Sequence, residues 1–420
     1  MITVLRSSWP LLLGIMLLMV GNGLQGTLLG IRGSIEGFTT FEMSIIMAAY
    51  FLGFLGGSRM APELIRRVGH IRVFAALGSF ISAILILYPV IANPIVWIIL
   101  RIAIGFCFSA VYVTAESWLN NAATNENRGK ALSLYLMVQM VGIISAQALL
   151  AFGDPSGFIL FVIPSVLVSI SFAPILLSVN PTPAFETTKP MTLRQLYRTS
   201  PLGCVGIFLL GGVFAAQFGM SAVYGTEAGL SVKQISVFVS SVYIGALLMQ
   251  YPIGWLSDRM DRRVLICGTA LVGGIAGIVG LFFDSNFTVL LVVAFLVGGV
   301  SNPLYSLLLA YTNDFLQRED MAAASGGLLF INGVGAVTGP IITGWIMSTI
   351  GPSGFWLFIA ALMIALSGYA AYRMTRRKIK GQDRGAYVGV SPSASALTLE
   401  AAQDWAIEAA EEEQNADNAS

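Results

Sequence analysis

Runs of roughly twenty apolar residues, the length needed to cross a hydrocarbon core, recur about twelve times along this chain between short polar breaks. They lie near 9–31, 42–61, 72–91, 95–119, 130–151, 157–178, 201–224, 233–256, 264–283, 286–311, 322–349 and 354–374. Backbone in lipid must satisfy its own polar groups, so runs of this length predict helices. Composition agrees: 56% of the 420 residues are hydrophobic and 11% charged, too little polar surface for a soluble globule of this size. The reading is an all-α polytopic membrane protein embedded in a lipid bilayer. A formal net charge of +1 says nothing about nucleic acid by itself, and no nucleic-acid partner is expected. Cys107, Cys204 and Cys267 each fall inside an apolar run and read as packing residues, not as a disulfide or metal set. Met1 to Arg6 resembles the start of a signal peptide, but Leu11 to Ile31 is long enough to span and no small-residue cleavage site is evident. It reads as a retained first helix.

An even number of spans puts both chain ends on one side, and the basic residues say which. The turns on that side hold Arg59, Arg66, Arg67, Arg72, Arg128, Lys130, Lys189, Arg194, Arg198, Arg259, Arg262, Arg263 and Arg318, whereas the opposite turns hold only Arg32 and Lys233. With Arg6 and the cluster Arg373 to Arg384 added to the first side, the positive-inside rule places both termini in the cytoplasm. Residues 1–178 are then an N-terminal six-helix bundle and 201–374 a second one. Residues 179–200, with Pro181, Pro183 and Pro190, read as a cytoplasmic linker. Residues 375–420 turn basic and then acidic through Glu411 to Glu413, and read as a disordered cytoplasmic tail with a weak amphipathic stretch, Leu397 to Ile407, carrying Trp405.

The two bundles repeat one another. Phe38-Thr-Thr-Phe-Glu42-Met-Ser44, ahead of the second run, matches Leu230-Ser-Val-Lys-Gln234-Ile-Ser236, ahead of the eighth, 192 residues later. Gly53 with Gly245, and Gln25 with Gln217, keep that spacing of 192. Asn120, Gln139, Gly142 and Ser145 match Asn313, Asn332, Gly335 and Thr338 at 193. Single matches are weak in a sequence rich in Leu and Gly, but a nearly constant spacing across polar positions indicates duplication. Duplicated halves facing each other are how many carriers frame one central site that opens to either side in turn.

Between the eighth and ninth runs stands Gly254-Trp-Leu-Ser-Asp258-Arg259-Met-Asp-Arg262-Arg263-Val-Leu265. It supplies a small residue for close helix contact, an acid near a helix end and basic residues that hold the turn at the cytoplasmic face. The pattern G-x-L-x-D-R-x-x-R-R-x-L resembles the signature loop of the major facilitator superfamily, carriers built from two six-helix halves. Ala115-Glu116-Ser-Trp-Leu-Asn-Asn and Asn127-Arg-Gly-Lys-Ala-Leu-Ser-Leu-Tyr-Leu-Met-Val-Gln139 are similar to its YcaD-like bacterial branch, and the resemblance covers about residues 9–374. It implies twelve helices, transport by alternating access, and a cavity lined by the first, fourth, seventh and tenth helices. The first-half copy, Pro62 to Arg72, departs from the pattern: Arg66 stands where Asp258 stands, so a gating role carries over only to Asp258, Arg259 and Arg262. His70 in that turn reads as an inert surface histidine. Gly335-Ala-Val-Thr-Gly339-Pro340 in the eleventh helix resembles a motif that drug/proton antiporters carry in the fifth, where this chain has Gly142-Ile-Ile-Ser145-Ala-Gln147. Its place in the wrong half argues against multidrug efflux and for helix packing.

In the fourth run Arg101, Gly105, Ser109, Tyr112 and Glu116 recur every three or four residues and share one face. A polar face in lipid looks inward, to water or to another polar group. Arg101, four residues ahead of Gly105, resembles the family's fourth-helix arginine, which implies ion coupling or organisation of the cavity; tying neighbouring helices together is the alternative. Glu116, near the helix end, reads as a gate latch to a cytoplasmic arginine, Arg66, Arg67 or Arg128, with a proton carrier and a loop anchor as alternatives. By the family's architecture the cavity candidates are Asn22, Gln25, Arg101, Ser109, Tyr112, Phe214, Gln217, Phe218, Asn302 and Tyr305. Amides, hydroxyls and rings with one cation suit a neutral or mildly anionic solute with a planar part. Riboflavin is one such solute, since riboflavin uptake proteins are among the related bacterial carriers.

The expectation is a monomeric secondary transporter of a small organic solute, with a proton or sodium as coupling ion, no cofactor and no catalytic site. No G-x-x-x-x-G-K-[ST] phosphate loop is present. One histidine and few loop acids argue against a polytopic membrane enzyme, while an efflux carrier and a non-transporting sensor are the competing readings.

Overall fold

The computed structural model describes residues 2–122, 125–173, 191–316, 318–376, 387–395, 398–399 and 402. Thirteen helices make up nearly all of that. The first half holds α1 (Ile2–Ile35), α2 (Thr40–Val68), α3 (His70–Val90), α4 (Pro94–Ala122), α5 (Asn125–Phe152) and α6 (Ile159–Ser171). A short α7 (Leu193–Thr199) leads to α8 (Pro201–Glu227), α9 (Val232–Arg259), α10 (Arg262–Phe282), α11 (Phe287–Asn313), α12 (Arg318–Ile350) and α13 (Gly354–Arg376). Among the described residues eleven helices are long and apolar enough to cross a membrane. The twelfth expected run is α6, 13 residues long, whose continuation to residue 178 lies outside the described residues.

Local chemistry sets where these helices start, and it does so twice. The repeated stretches ahead of α2 and α9 are capping boxes. Thr39 Oγ1 accepts from the Glu42 amide while the Thr39 amide donates to the Glu42 carboxylate, and Ser231 and Gln234 do the same. Just upstream, Gly37 (φ +78°) and Gly229 (φ +73°) occupy the left-handed region that ends the preceding helix. The Phe38 amide then reaches the Gly33 carbonyl, and the Leu230 amide that of Gly225, both at 2.9 Å.

Packing repeats as well. Within the first half α1 lies on α5 and α6, α2 on α4, and α3 on α4 and α6; within the second, α8 lies on α12 and α13, α9 on α11, and α10 on α11 and α13. Glycine lets α2 and α4 meet backbone to backbone: a Cβ on Gly53 would sit 1.9 Å from the Ile102 carbonyl oxygen. Its repeat partner Gly245 meets the Phe295 carbonyl on α11 in the same way, at 2.1 Å. Large apolar side chains such as Ile95, Phe80, Ile159 and Tyr251 point outward, as lipid contact requires.

The halves touch through α2 with α12, α5 with α9, and α1 with α8. Because successive long helices run in opposite directions, α1 begins and α13 ends on the same face, here the terminal face. At the opposite, far face the contact is direct. A Cβ on Gly344 would lie 2.2 Å from that of Ser44, one on Gly30 would lie 2.7 Å from that of Ala222, and Thr40 donates to Glu227 at 2.8 Å.

The expected solvated tail differs from the structure over Tyr387 to Ser395. Tyr387 to Ser395 runs between the halves, with Val390, Ser391, Ala394 and Ser395 buried. The linker up to residue 190, Trp405 and the acidic run Glu411 to Glu413 lie outside the described residues.

Candidate functional site

A cavity lies between the halves, walled by helices of both. Its first-half lining is Met19 and Asn22 of α1, Tyr50, Phe51, Phe54 and Leu55 of α2, Tyr112 of α4, and Gln139, Met140 and Ile143 of α5. Across from them stand Phe214 and Phe218 of α8, Tyr243 of α9, Asn302 of α11, and Leu329, Asn332, Gly333 and Ala336 of α12. Ser391, Pro392 and Ser393 of the C-terminal segment close the remaining side, leaving about 40 Å³ of free volume.

Aromatic rings dominate the wall. Phe214 and Phe218 stack with centroids 6.0 Å apart and planes within 19°, and Tyr50 lies 5.5 Å from Phe218, so rings from both halves meet. Phe218 occupies its place through a π-helical turn, Ala216–Met220, inside α8. Such a widened turn re-aims side chains and recurs at functional sites.

Behind the first-half wall runs a chain of polar groups. Arg101 is fully buried; it donates to Gln25 Oε1 at 2.7 Å, and Tyr50 presents its ring face 4.8 Å from the guanidinium carbon. Gln25 Nε2 donates in turn to Asn22 Oδ1 at 3.1 Å, and Asn22 Nδ2 donates to the Tyr112 hydroxyl at 2.8 Å. Among the described residues Arg101 forms no ion pair, and its Nε has no hydrogen-bond partner. Among the described residues the positive charge meets the Gln25 amide, the Tyr50 ring and the Met47 sulfur, the last at 3.2 Å. A tie between helices and an electropositive flank for the cavity are one and the same arrangement here.

Of the sequence candidates, Asn22, Tyr112, Phe214, Phe218 and Asn302 line the cavity. Gln25 and Arg101 stand one layer behind. Gln217 is buried and accepts from the Ser301 hydroxyl at 3.1 Å, leaving its Nε2 without a partner among the described residues. Ser109 and Tyr305 are buried, their hydroxyls have no partner among the described residues, and they do not reach the lining. Sequence reasoning missed Tyr50, Phe51 and Phe54, because α2 was not among the helices the resemblance assigned to the cavity. It also left out Gln139 and Asn332, although their match across the halves had already singled them out.

The expected gate needs more correction. Glu116 is not latched to Arg66 or Arg67. It is buried, and accepts from the Tyr135 hydroxyl at 2.9 Å and from the Ser395 amide at 2.8 Å. Arg67 and Arg66 are exposed and both pair with Glu63, four and three residues back, which costs less than burying them beside Glu116. The Arg128 side chain lies outside the described residues. In the signature loop Arg262 is buried and pairs with Asp314 at 2.6 Å, with Asp258 farther off at 4.0 Å. Asp258 accepts from the Tyr387 amide at 3.0 Å, and Arg259 lies over the Trp255 ring at 4.2 Å. His70 is not on the surface: the turn at Gly69 (φ +83°) swings it inward, to 3.0 Å from the Ser117 hydroxyl. Beyond the spans, burial holds the Tyr387 phenol above its usual range, so it stays protonated.

Two helical halves around a ring-lined cavity, with charge buried behind its wall, have the architecture of a polytopic membrane carrier. The family model of the Major Facilitator Superfamily matches residues 11–239 and 202–398, and the chain belongs to that superfamily. Similar proteins include the uncharacterized MFS-type transporter YcaD of Salmonella arizonae, 25% identical over 356 residues, covering 84% of this chain and 92% of the relative. The YcaD of Escherichia coli O139:H28 is 24% identical over 366 residues, 86% and 94% of the two chains. Among solved structures, the nucleoside transporter NupG superposes with a TM-score of 0.76 at 14% identity, over 87% of this chain and 99% of that one. The Escherichia coli fucose:proton symporter FucP gives 0.57 at 16% identity, over 88% and 99%. At these identities the structural likeness speaks for the fold.

Proposed function

We propose that the chain carries a small planar organic solute, neutral or mildly anionic, across the bacterial inner membrane by alternating access, with both termini in the cytoplasm. The observation that carries this reading is the cavity wall: a stacked ring pair of α8 that Tyr50 of the first half meets at 5.5 Å, amides from both halves, and the Arg101 charge two hydrogen bonds away through Gln25 and Asn22. Rings favour a flat solute. A buried cation without a carboxylate favours a carbonyl-rich or anionic edge and repels cations. Asn22, Tyr112, Phe218 and Asn302 meet the solute in this reading, while Gln25, Arg101, Ser109, Gln217 and Tyr305 hold the wall.

Residues 1–178 and 201–374 act as the two moving halves joined by 179–200, and Asp258, Arg259, Arg262 and Glu116 take part in closing the terminal face. The excess of Lys and Arg in the terminal-face turns supports the cytoplasmic assignment. A proton or sodium gradient supplies the bias between states. Riboflavin is a candidate solute by shape, and one structural neighbour is a nucleoside transporter.

Uptake of a panel of flavins, nucleosides and planar organic acids into proteoliposomes tests this. One or more panel members should accumulate with the wild type, and Arg101→Ala should reduce that uptake at least tenfold, the loss expected of about 1.4 kcal/mol. Movement of none of them, with efflux of cationic compounds instead, contradicts the proposal.

A further inference from the structure

The segment Tyr387 to Ser395 is seated in the terminal-face vestibule by contacts to both halves. Toward the second half, the Tyr387 amide donates to Asp258, Gln250 donates to the Tyr387 hydroxyl at 2.9 Å, and the Tyr387 ring lies where any side chain on Gly254 would have to go. Ser306 and Val390 exchange hydrogen bonds, the amide donating at 2.9 Å and the carbonyl accepting at 3.1 Å. Asn332 donates to the Pro392 carbonyl at 2.9 Å. Toward the first half, the Ser395 amide donates to Glu116.

The peptide is matched to this seat. Ser393 and Ala394 satisfy their amides within the segment, on the Ser391 hydroxyl and carbonyl, and Pro392 has no amide proton to bury. The amides of Tyr387, Val390, Ser393, Ala394 and Ser395 each have a partner, as groups taken into a protein interior require.

We propose that the vestibule is a binding site for a Ser/Pro-rich peptide, that its occupant is the chain's own Tyr387 to Ser395, and that this strap autoinhibits the carrier. Two consequences follow from its position. The free volume left beside it, about 40 Å³, holds a few waters, against roughly 300–1,000 Å³ for a small-molecule pocket, so solute and strap exclude one another. The strap also spans from Asp258 on α9 to Glu116 on α4, across the gap that has to close when the far face opens. A molecule with the strap seated is therefore held closed at the far face and wedged at the terminal face, and uptake by the wild type runs through the fraction of molecules from which the strap has left.

Accessibility of the cavity tests the proposal without knowledge of the solute. Leu329→Cys, a lining position on α12, is placed in full-length protein whose three native cysteines are replaced, and N-ethylmaleimide labelling is timed in detergent. Tyr387→Ala combined with Ser395→Pro removes anchors to both halves, and labelling should accelerate by roughly tenfold or more, each anchor being worth a few-fold to tenfold in the seated fraction. Ser395→Ala keeps the amide that binds Glu116 and should label at the parent rate. A second pair, Val390→Cys with Ser306→Cys, should form a disulfide under mild oxidation. Equal labelling rates in the double variant and the parent, with both monodisperse and equally stable to heat, overturn autoinhibition; failure of the disulfide to form overturns the seat itself.

Discussion

A guanidinium inside a lipid-embedded bundle is tolerated only where dipoles or counter-charge share its load, and Arg101 has dipoles alone. Gln25 is then the residue whose loss should be felt most. Gln25→Leu leaves the guanidinium without its shortest hydrogen bond and should cost about 2 kcal/mol, read as a lower unfolding temperature by tryptophan fluorescence in detergent. Gln25→Glu supplies a carboxylate at the same place and should restore or raise stability while weakening uptake of anionic solutes. If both variants melt with the wild type, Arg101 is solvated by groups other than these. This network was partly legible in the sequence. Helical spacing put Arg101 and Tyr112 on one inward face, and an amide in an apolar run announced Gln25. The aromatic wall of α2 was not legible, because Phe and Tyr in an apolar helix carry no mark that separates lipid contact from cavity lining. Glu116 was read as a latch to arginine because sequence places charge along a helix but not the depth at which a second segment covers it.

At the scale of helices, the repeated capping boxes and glycine turns show why the two halves begin their second helices alike. The sequence showed them only as a repeated stretch; the capping boxes Thr39-x-x-Glu42 and Ser231-x-x-Gln234 went unread there, although they are local chemistry that needs no tertiary partner. The α2–α4 contact gives the sharper prediction. Gly53→Ala puts a methyl 1.9 Å from a carbonyl oxygen and should destabilise by roughly 1–3 kcal/mol through forced separation of the helices. Gly268→Ala, with open space around it, should be neutral or stabilise by up to about 1 kcal/mol. Thermal unfolding of the purified variants separates the two, and equal shifts would mean that the helices are not packed through Gly53. The π-turn at Ala216–Met220 had no sequence signal, as it arises from how α8 packs between α1 and α12 and not from residue propensity.

For the whole molecule, the membrane-spanning class, the duplicated halves and the superfamily could all be read from run length, spacing and one charged loop. The C-terminal segment could not. Its Ser, Pro, Ala and Gly content reads as solvated chain, and its burial rests on partners that the two halves together offer for its amides and for the Pro392 carbonyl. Interdomain polar contacts of this kind have no period for a sequence to display. Alternating access requires that the ring-lined cavity serve both faces. Phe218→Cys, deep on that wall, can be challenged with a membrane-impermeant maleimide in right-side-out and inside-out vesicles, in the parent and in the Tyr387→Ala/Ser395→Pro protein. Alternating access predicts that the strap-released protein is labelled from either face; reaction from one face alone, whatever solute or gradient is imposed, would contradict it.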